Sequence, residues 1–276
     1  MRTEAYAKVN LTLEVFGTRA DGYHALRSLV VPISLADTLE IAEADGLSCD
    51  TGYADDLCLK AAQVLRESVG KPSLGAAIHV EKRIPAGGGL GGGSADAAAT
   101  LVALNDLWRL GKSRQELAAL GAAVGSDVPA LVWGGAVLME GRGEIVSAFP
   151  PPKGLNLVLA NPGINCSTKE VYAKCRARVT DDPTIVYNMR SAISSGDVRR
   201  IAAAMMNDLQ APAVELHPEI GAALRSLEEA GAFGVMMSGS GSTVFGLVPS
   251  EVRGREIAAL LNAKGLRAWA VHAIVP

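Results

Sequence analysis

Pro85-Ala86-Gly87-Gly88-Gly89-Leu90-Gly91-Gly92-Gly93-Ser94-Ala95 places six glycines in seven positions directly ahead of an alanine-rich stretch. Without Cβ atoms, successive peptide N–H groups can turn toward one anion, and the backbone can approach it closely. Ala98, Leu101, Leu104 and Leu107 then recur at helical spacing. The run therefore joins a strand predicted at 76–83 to a helix predicted at about 94–108. The first turn of that helix adds unpaired N–H donors and the positive end of its dipole, worth ~0.3–1 kcal/mol exposed and up to ~2 kcal/mol when partly buried. A linker is not normally fused to ordered elements on both sides, so the stretch reads as a cradle for a polyphosphate.

Two familiar phosphate motifs fit poorly. Gly87, Gly89 and Gly92 satisfy the dinucleotide pattern GxGxxG, but that fold needs an acidic residue about 20 positions later, at the end of a second strand. Here that region ends one helix and starts another. Gly111-Lys112-Ser113 supplies the end of a P-loop, but Asp106 stands where its first glycine is required. Gly111-Lys112 reads instead as a helix stop.

Working outward, 30 glycines in 276 residues exceed the usual ~7%. Hydrophobic residues at 49% against 20% charged indicate a chain that can bury a core. With 26 basic and 29 acidic residues the net charge is -3, which implies no bulk attraction to nucleic acid or an acidic membrane surface. Any anionic ligand must be held locally. Apolar runs are broken by charge, Pro or Gly, and Glu4 and Lys8 interrupt the N-terminus. The expectation is a cytoplasmic protein without membrane spans or a secretory leader. Cys49, Cys58, Cys166 and Cys175 form no CxxC, and His24, His79, His217 and His272 are scattered. The spacing gives no zinc motif, and the cysteines are assigned no chemistry.

Residues 5–16 alternate as a strand, with Val9, Leu11, Leu13 and Val15 on one face and Lys8, Asn10 and Thr12 on the other. Short strands follow at Leu29–Ile33 and Leu39–Ile41, separated by Pro32 and Asp37, then a helix at 56–69. A second helix is predicted at 114–123 and a hairpin at 135–148. Pro150-Pro151-Pro152 is the clearest composition shift and divides an N-terminal lobe, 1–150, from a C-terminal one, 151–276. In the second half the spacing predicts helices near 168–176, 184–193, 197–206, 218–230 and 250–263. Strands are predicted at 155–160 and 267–274, with a strand pair broken by Ser238-Gly239-Ser240-Gly241. Both halves are mixed α+β.

Pro85–Ala98 resembles the second motif of the galactokinase, homoserine kinase, mevalonate kinase and phosphomevalonate kinase superfamily. Ala7-Lys8-Val9-Asn10-Leu11 and the stretch Met237–Phe245 fit the same superfamily. Arg19-Ala20-Asp21-Gly22-Tyr23-His24, Gly125-Ser126-Asp127-Val128-Pro129, Asn161-Pro162-Gly163 and Asn207-Asp208-Leu209 are similar to the branch whose members phosphorylate 4-diphosphocytidyl-2-C-methyl-D-erythritol. The resemblance implies a two-lobed α+β small-molecule kinase. Its N-terminal lobe would be like the second domain of ribosomal protein S5, and its C-terminal lobe ferredoxin-like.

The same resemblance implies transfer of the ATP γ-phosphate to a tertiary hydroxyl, the 2-hydroxyl of the methylerythritol. ATP is the co-substrate, held by Pro85–Ala95, and Mg2+ is expected, with ligands unknown. Asp127 would accept the hydroxyl proton, and Lys8 would hold Asp127 and the substrate while stabilising negative charge. From local sequence alone Asp127 reads as a helix N-cap and Lys8 as a solvated lysine. Tyr23 would stack on cytosine, His24 would bond its edge, and Tyr172 would close the stack, with Thr168 on the same side of its helix. Asn10 would meet the erythritol end. Ala95 stands where many relatives carry a second serine, and Asp56 where relatives place Asn near the adenine. The other readings are another kinase of the superfamily, a dinucleotide-binding oxidoreductase, and a nucleotide-binding module without catalysis.

Overall fold

Alternating side chains draw the N-terminus into β1 (Arg2–Thr18) of the computed structural model, which describes residues 1–19, 22, 24–178 and 182–275. Val9 and Leu11 enter one hydrophobic core and Leu13 and Val15 a second, on either side of a register shift between Asn10 and Thr12. Lys8, Asn10, Thr12 and Glu14 are buried as well. A row of buried polar groups along one face of a strand requires partners, and those of Lys8 and Asn10 form the site described below.

The sequence predicts a break at Pro32 and Asp37, yet β2 (His24–Glu43) runs without interruption for 20 residues. Pro32 sits opposite Lys8, just after a register shift between Tyr6 and Lys8, and its carbonyl accepts the N–H of Ile274 at 2.8 Å. A bulge is one of the few places where a sheet tolerates Pro. Asp37 is fully buried and stays in the strand by accepting from Lys82 Nζ and from the N–H groups of Arg83 and Ile84.

The chain continues through β3 (Leu47–Cys49), α1 (Leu57–Ser68), β4 (Ala76–Glu81), α2 (Gly92–Leu107), α3 (Arg114–Gly121), α4 (Val128–Trp133), β5 (Val137–Gly141) and β6 (Ile145–Ala148). Next come β7 (Asn156–Asn161), α5 (Thr168–Lys174), α6 (Thr184–Ser195), α7 (Val198–Ala204), β8 (Met206–Asn207), α8 (Gln210–Leu216) and α9 (Pro218–Glu229). The last elements are β9 (Phe233–Met237), β10 (Val244–Val248), α10 (Glu251–Ala263) and β11 (Arg267–His272). Side-chain caps account for several helix starts: Asp56 accepts from the N–H groups of Cys58 and Leu59, Ser113 and Glu116 form a capping box, and Ser250 caps α10.

One sheet has the order β3-β4-β2-β1-β8, with β5 also paired to β2 and β6 to β5. The other is antiparallel, in the order β11-β7-β10-β9. Residues from the second half reach β1 directly. Thr12 and Leu13 pair in parallel with Met206 and Asn207, and the N–H of Asp208 bonds the Leu13 carbonyl at 2.9 Å. The sequence reading misses β8 and α8, because two residues of strand carry no periodicity. Among the described residues, no helix is long and apolar enough to cross a membrane.

Candidate active site

The glycine run becomes a turn followed by the first residues of α2. Gly87, Gly89 and Gly91 all adopt positive φ, at 64°, 74° and 70°. Alternation with neighbours of ordinary φ turns successive N–H groups to one side, the geometry of an anion nest. Gly91 is the N-cap of α2 and offers no side-chain cap, so the N–H groups of the first turn are left to face the cleft. Leu90 and Ala95 turn their side chains into the core instead, and the Leu90 carbonyl accepts the N–H of Lys8 at 3.0 Å. Leu90 thus pins the loop to β1.

The second glycine-serine loop, between β9 and β10, supports the first. Ser238 Oγ donates to the Gly89 carbonyl at 3.0 Å, and the N–H of Thr243 donates to the Gly88 carbonyl at 3.0 Å. Asn161 Nδ2 bonds Thr243 Oγ1 at 2.9 Å. Asn207 Nδ2 reaches the carbonyls of Met237 and Gly239, each at 2.8 Å, while Asp208 accepts from the N–H of Val15 and from Arg178. Asn161 of the Asn-Pro-Gly stretch thus anchors the second loop, and the Asn-Asp-Leu stretch joins that loop to β1.

Lys8 Nζ lies 3.4 Å from Asp127 Oδ2 and donates to Asn10 Oδ1 at 2.8 Å. The chain of bonds runs on from Asn10 Nδ2 to Ser28 Oγ, and from that hydroxyl to the Thr12 carbonyl. Asp127 begins α4 but makes no cap hydrogen bond, so its local reading as an N-cap does not describe its side chain. That side chain is 33% exposed, against 4% for Lys8. A buried lysine held by two oxygens beside a partly exposed carboxylate is an ordered cation with an accessible base next to it. Gly91 lets them reach the loop: a Cβ there would stand 3.2 Å from Lys8 Cε and 3.5 Å from Asp127 Oδ2.

These residues line one cleft of about 1290 Å³, larger than the ~300–1,000 Å³ typical of a single small-ligand pocket. Asn10, His24, Thr168 and Tyr172 line it too. The rings of His24 and Tyr172 are stacked, with centroids 5.6 Å apart and planes at 27°. Burial pushes the Tyr172 hydroxyl above its ordinary pKa, with a smaller contribution from Asp127. Thr168 Oγ1 shares a hydrogen bond with Ser240 Oγ at 2.8 Å, tying α5 to the second glycine loop. Tyr23 lies outside the described residues.

Sequence reasoning misses a triad on the cleft wall, in which two buried carboxylates hold a half-buried lysine. Lys82 Nζ bonds both Asp37 Oδ2 and Asp96 Oδ2 at 2.5 Å, and both Lys82 and Asp96 line the cleft beside the phosphate nest. An acid inside an otherwise apolar strand, as at Asp37, is the signal that could have found it. Burial would lower the Lys82 ammonium pKa, but the hydrogen bonds it donates to the two carboxylates raise it. For Asp96, burial and the Asp37 charge outweigh Lys82 and push its pKa up to about 7. One Asp96 oxygen, Oδ1, has no partner.

A group whose folded pKa is raised holds its proton longer in the native state, so its stabilising contribution is present at acid pH and is lost as pH climbs toward 7. Wild-type melting temperature is therefore expected to fall by a few degrees relative to Asp96→Asn between pH 5.5 and pH 8. Paired thermal melts would show this as diverging curves; parallel curves would remove the raised Asp96.

The fold and the cleft define the class of two-lobed α+β small-molecule kinases. Residues 56–135 match the family described as GHMP kinases N terminal domain, and residues 189–266 match GHMP kinases C terminal. A Heliobacterium modesticaldum protein named 4-diphosphocytidyl-2-C-methyl-D-erythritol kinase is 41% identical over 286 aligned positions, covering 95% of this chain and 90% of that one. A protein of the same name from Pelotomaculum thermopropionicum is 42% identical, covering 92% of this chain and 91% of its own. The crystal structure of a 4-(cytidine 5'-diphospho)-2C-methyl-D-erythritol kinase superposes with a TM-score of 0.85 at 37% identity, over all of both chains. The chain belongs to the 4-diphosphocytidyl-2-C-methyl-D-erythritol kinase family. The dinucleotide reading of GxGxxG fails structurally as well, since α2 is followed by α3 and α4 rather than by a parallel strand.

Proposed function

We infer that this chain transfers the γ-phosphate of ATP to the 2-hydroxyl of 4-diphosphocytidyl-2-C-methyl-D-erythritol, a step of non-mevalonate isoprenoid precursor synthesis. The observation that carries this reading is the Lys8–Asp127 pair, 3.4 Å apart, set against the phosphate nest within one cleft. Phosphoryl transfer asks mainly for positioning and charge stabilisation. The N–H groups of residues 87–94 and the α2 dipole would hold the triphosphate, so that a chain of net charge -3 needs no basic surface for it. Asp127 would take the hydroxyl proton, late in a loose transition state, as suits a weak base. Lys8 would fix Asp127 and balance charge on the transferred group, while Asn10 meets the erythritol end.

The His24–Tyr172 stack supports a cytosine site in the same cleft, with Thr168 beside it: Tyr23 would stack on the base, His24 would bond its edge and Tyr172 would close the stack. Tyr172→Ala should raise KM for the cytidylyl substrate about tenfold while changing KM for ATP little, since stacking on an aromatic is worth ~1–3 kcal/mol per base. Steady-state kinetics with each substrate varied in turn would check it, and equal effects on both would argue against the stack.

Magnesium suits the donor set. The Ser94 hydroxyl at the start of α2 is a hard oxygen donor on the cleft wall, and it would hold the ion together with the phosphates. Bound there, Mg2+ would neutralise charge on the phosphate oxygens. Dividing the chain into an ATP-binding lobe, 1–150, and a lobe, 151–276, that completes the substrate site is supported by the strands, since the four-stranded sheet uses only residues after 155. Purified protein should phosphorylate the cytidylyl-methylerythritol substrate, and neither mevalonate nor homoserine, when each is offered with ATP. Transfer to either of the latter would move the chain to another branch of the superfamily.

A further inference from the structure

At the rim of the kinase cleft, away from Lys8 and Asp127, two thiols and a carboxylate converge. Cys49 ends β3, Asp56 caps α1, and Cys58 lies in the first turn of α1. Their sulfur and carboxylate oxygen atoms all lie within 4.8 Å of one another, the one such group of three among the described residues. The fold brings together cysteines nine positions apart that form no recognisable motif in the sequence. Asp56 divides its two oxygens: Oδ1 accepts the helix N–H groups, and Oδ2 accepts the Thr51 hydroxyl. Oδ2 thus takes no part in the helix cap, and besides the Thr51 hydroxyl it has lone-pair capacity for a metal ion.

We propose that Cys49, Cys58 and Asp56 form a binding site for a thiophilic divalent cation of the Zn2+ class, separate from the magnesium that accompanies ATP. Tetrahedral zinc, with Zn–S ~2.3 Å and Zn–O ~2.0–2.2 Å, sets neighbouring ligand atoms ~3.5–3.8 Å apart. The three atoms need to close by only about an ångström to reach that spacing. Two thiolates and a carboxylate select a borderline-soft ion, whereas Mg2+ prefers six oxygens. Binding releases the two thiol protons to solvent, and no electron is transferred. The fourth position falls to the Thr51 hydroxyl or to a water, since Thr51, Asp56 and Cys58 border the cleft and give the ion a way in. The ion would staple the end of β3 to the start of α1 across the segment 50–57, whose Thr51, Tyr53 and Asp55 form part of the cleft wall.

The test is titration of the reduced, full-length protein with Cd2+, read by the ultraviolet thiolate-to-cadmium charge-transfer band, with Zn2+ affinity then measured by competition against a chromophoric chelator. The band should saturate at one Cd2+ per chain, persist in a large excess of Mg2+, and raise the melting temperature. Cys49→Ser and Cys58→Ser should each abolish it, and the double variant Cys166→Ser/Cys175→Ser should retain it. Asp56→Asn keeps a capping oxygen, so it should fold normally and bind Cd2+ at least tenfold more weakly. The proposal is overturned by absence of the band in the reduced wild type or by its survival in the Cys49→Ser/Cys58→Ser protein. Unchanged Cd2+ affinity in Asp56→Asn would remove the carboxylate from the site. Because the readout needs neither ATP nor the cytidylyl substrate, its failure leaves the kinase reading intact.

Discussion

Asp127→Asn is expected to bind ATP as the wild type does and to lose turnover by about 10²- to 10⁴-fold, the usual contribution of a positioned general base. The side chain makes no cap hydrogen bond and is one-third exposed, so the amide removes a proton acceptor without disturbing α4. Asn also preserves the volume beside Lys8. The nest that would hold the triphosphate is built from backbone amides of residues 87–94, which the substitution leaves alone. Measured kcat beside an ATP dissociation constant from calorimetry separates the roles. Near-normal kcat would take proton transfer away from Asp127, and a collapse of ATP affinity with melting temperature would mark it as structural.

Gly89→Ala should be the most damaging conservative change in the phosphate loop. Gly89 has φ of +74°, and a Cβ there would stand 2.2 Å from the backbone carbonyl oxygen of Ser238. The left-handed conformation alone costs an L-residue ~1–2 kcal/mol. The clash adds to this, because the obstructing atom belongs to a backbone bound in both directions: Ser238 donates its hydroxyl to Gly89, and its N–H donates to Thr243. A total loss above ~3 kcal/mol would lower the melting temperature by more than ~6 °C and separate the two glycine loops. Gly93→Ala is the control. A Cβ at Gly93 meets only Leu57 Cδ1 at 3.4 Å, an ordinary contact, and alanine in a helix is favoured by ~0.5–1 kcal/mol over glycine. Thermal melts should place Gly93→Ala at or above the wild type and Gly89→Ala far below. Equal melting temperatures for the two variants would contradict the close approach of the loops.

The contrast between these glycines marks what was legible in the sequence. The density of glycine ahead of a helix announced a phosphate nest, because φ freedom and helix ends are local properties. Which glycine faces solvent, which faces Ser238 and which makes room for Lys8 depends on the second loop, about 150 residues later in the chain. Lys8 and Asn10 shared a face by strand periodicity, but only the fold sets Asp127 beside them. The predicted break at Pro32 and Asp37 failed for a similar reason. Local propensity marks both as breakers, while the bulge opposite Pro32 comes from β1 and the partners of Asp37 from the segment that follows β4. The Lys82 triad and the two-residue β8 left no periodic trace. Their partners are recognisable only once the sheets are assembled.

The most direct test of the central claim is where the phosphate lands. Incubation of the purified protein with ATP, Mg2+ and 4-diphosphocytidyl-2-C-methyl-D-erythritol, followed by phosphorus NMR and mass spectrometry of the product, reads the geometry of the cleft. A single new phosphate monoester on the tertiary 2-hydroxyl is expected, formed together with ADP. ADP without an organic phosphate, or a phosphate on one of the other hydroxyls, would contradict it.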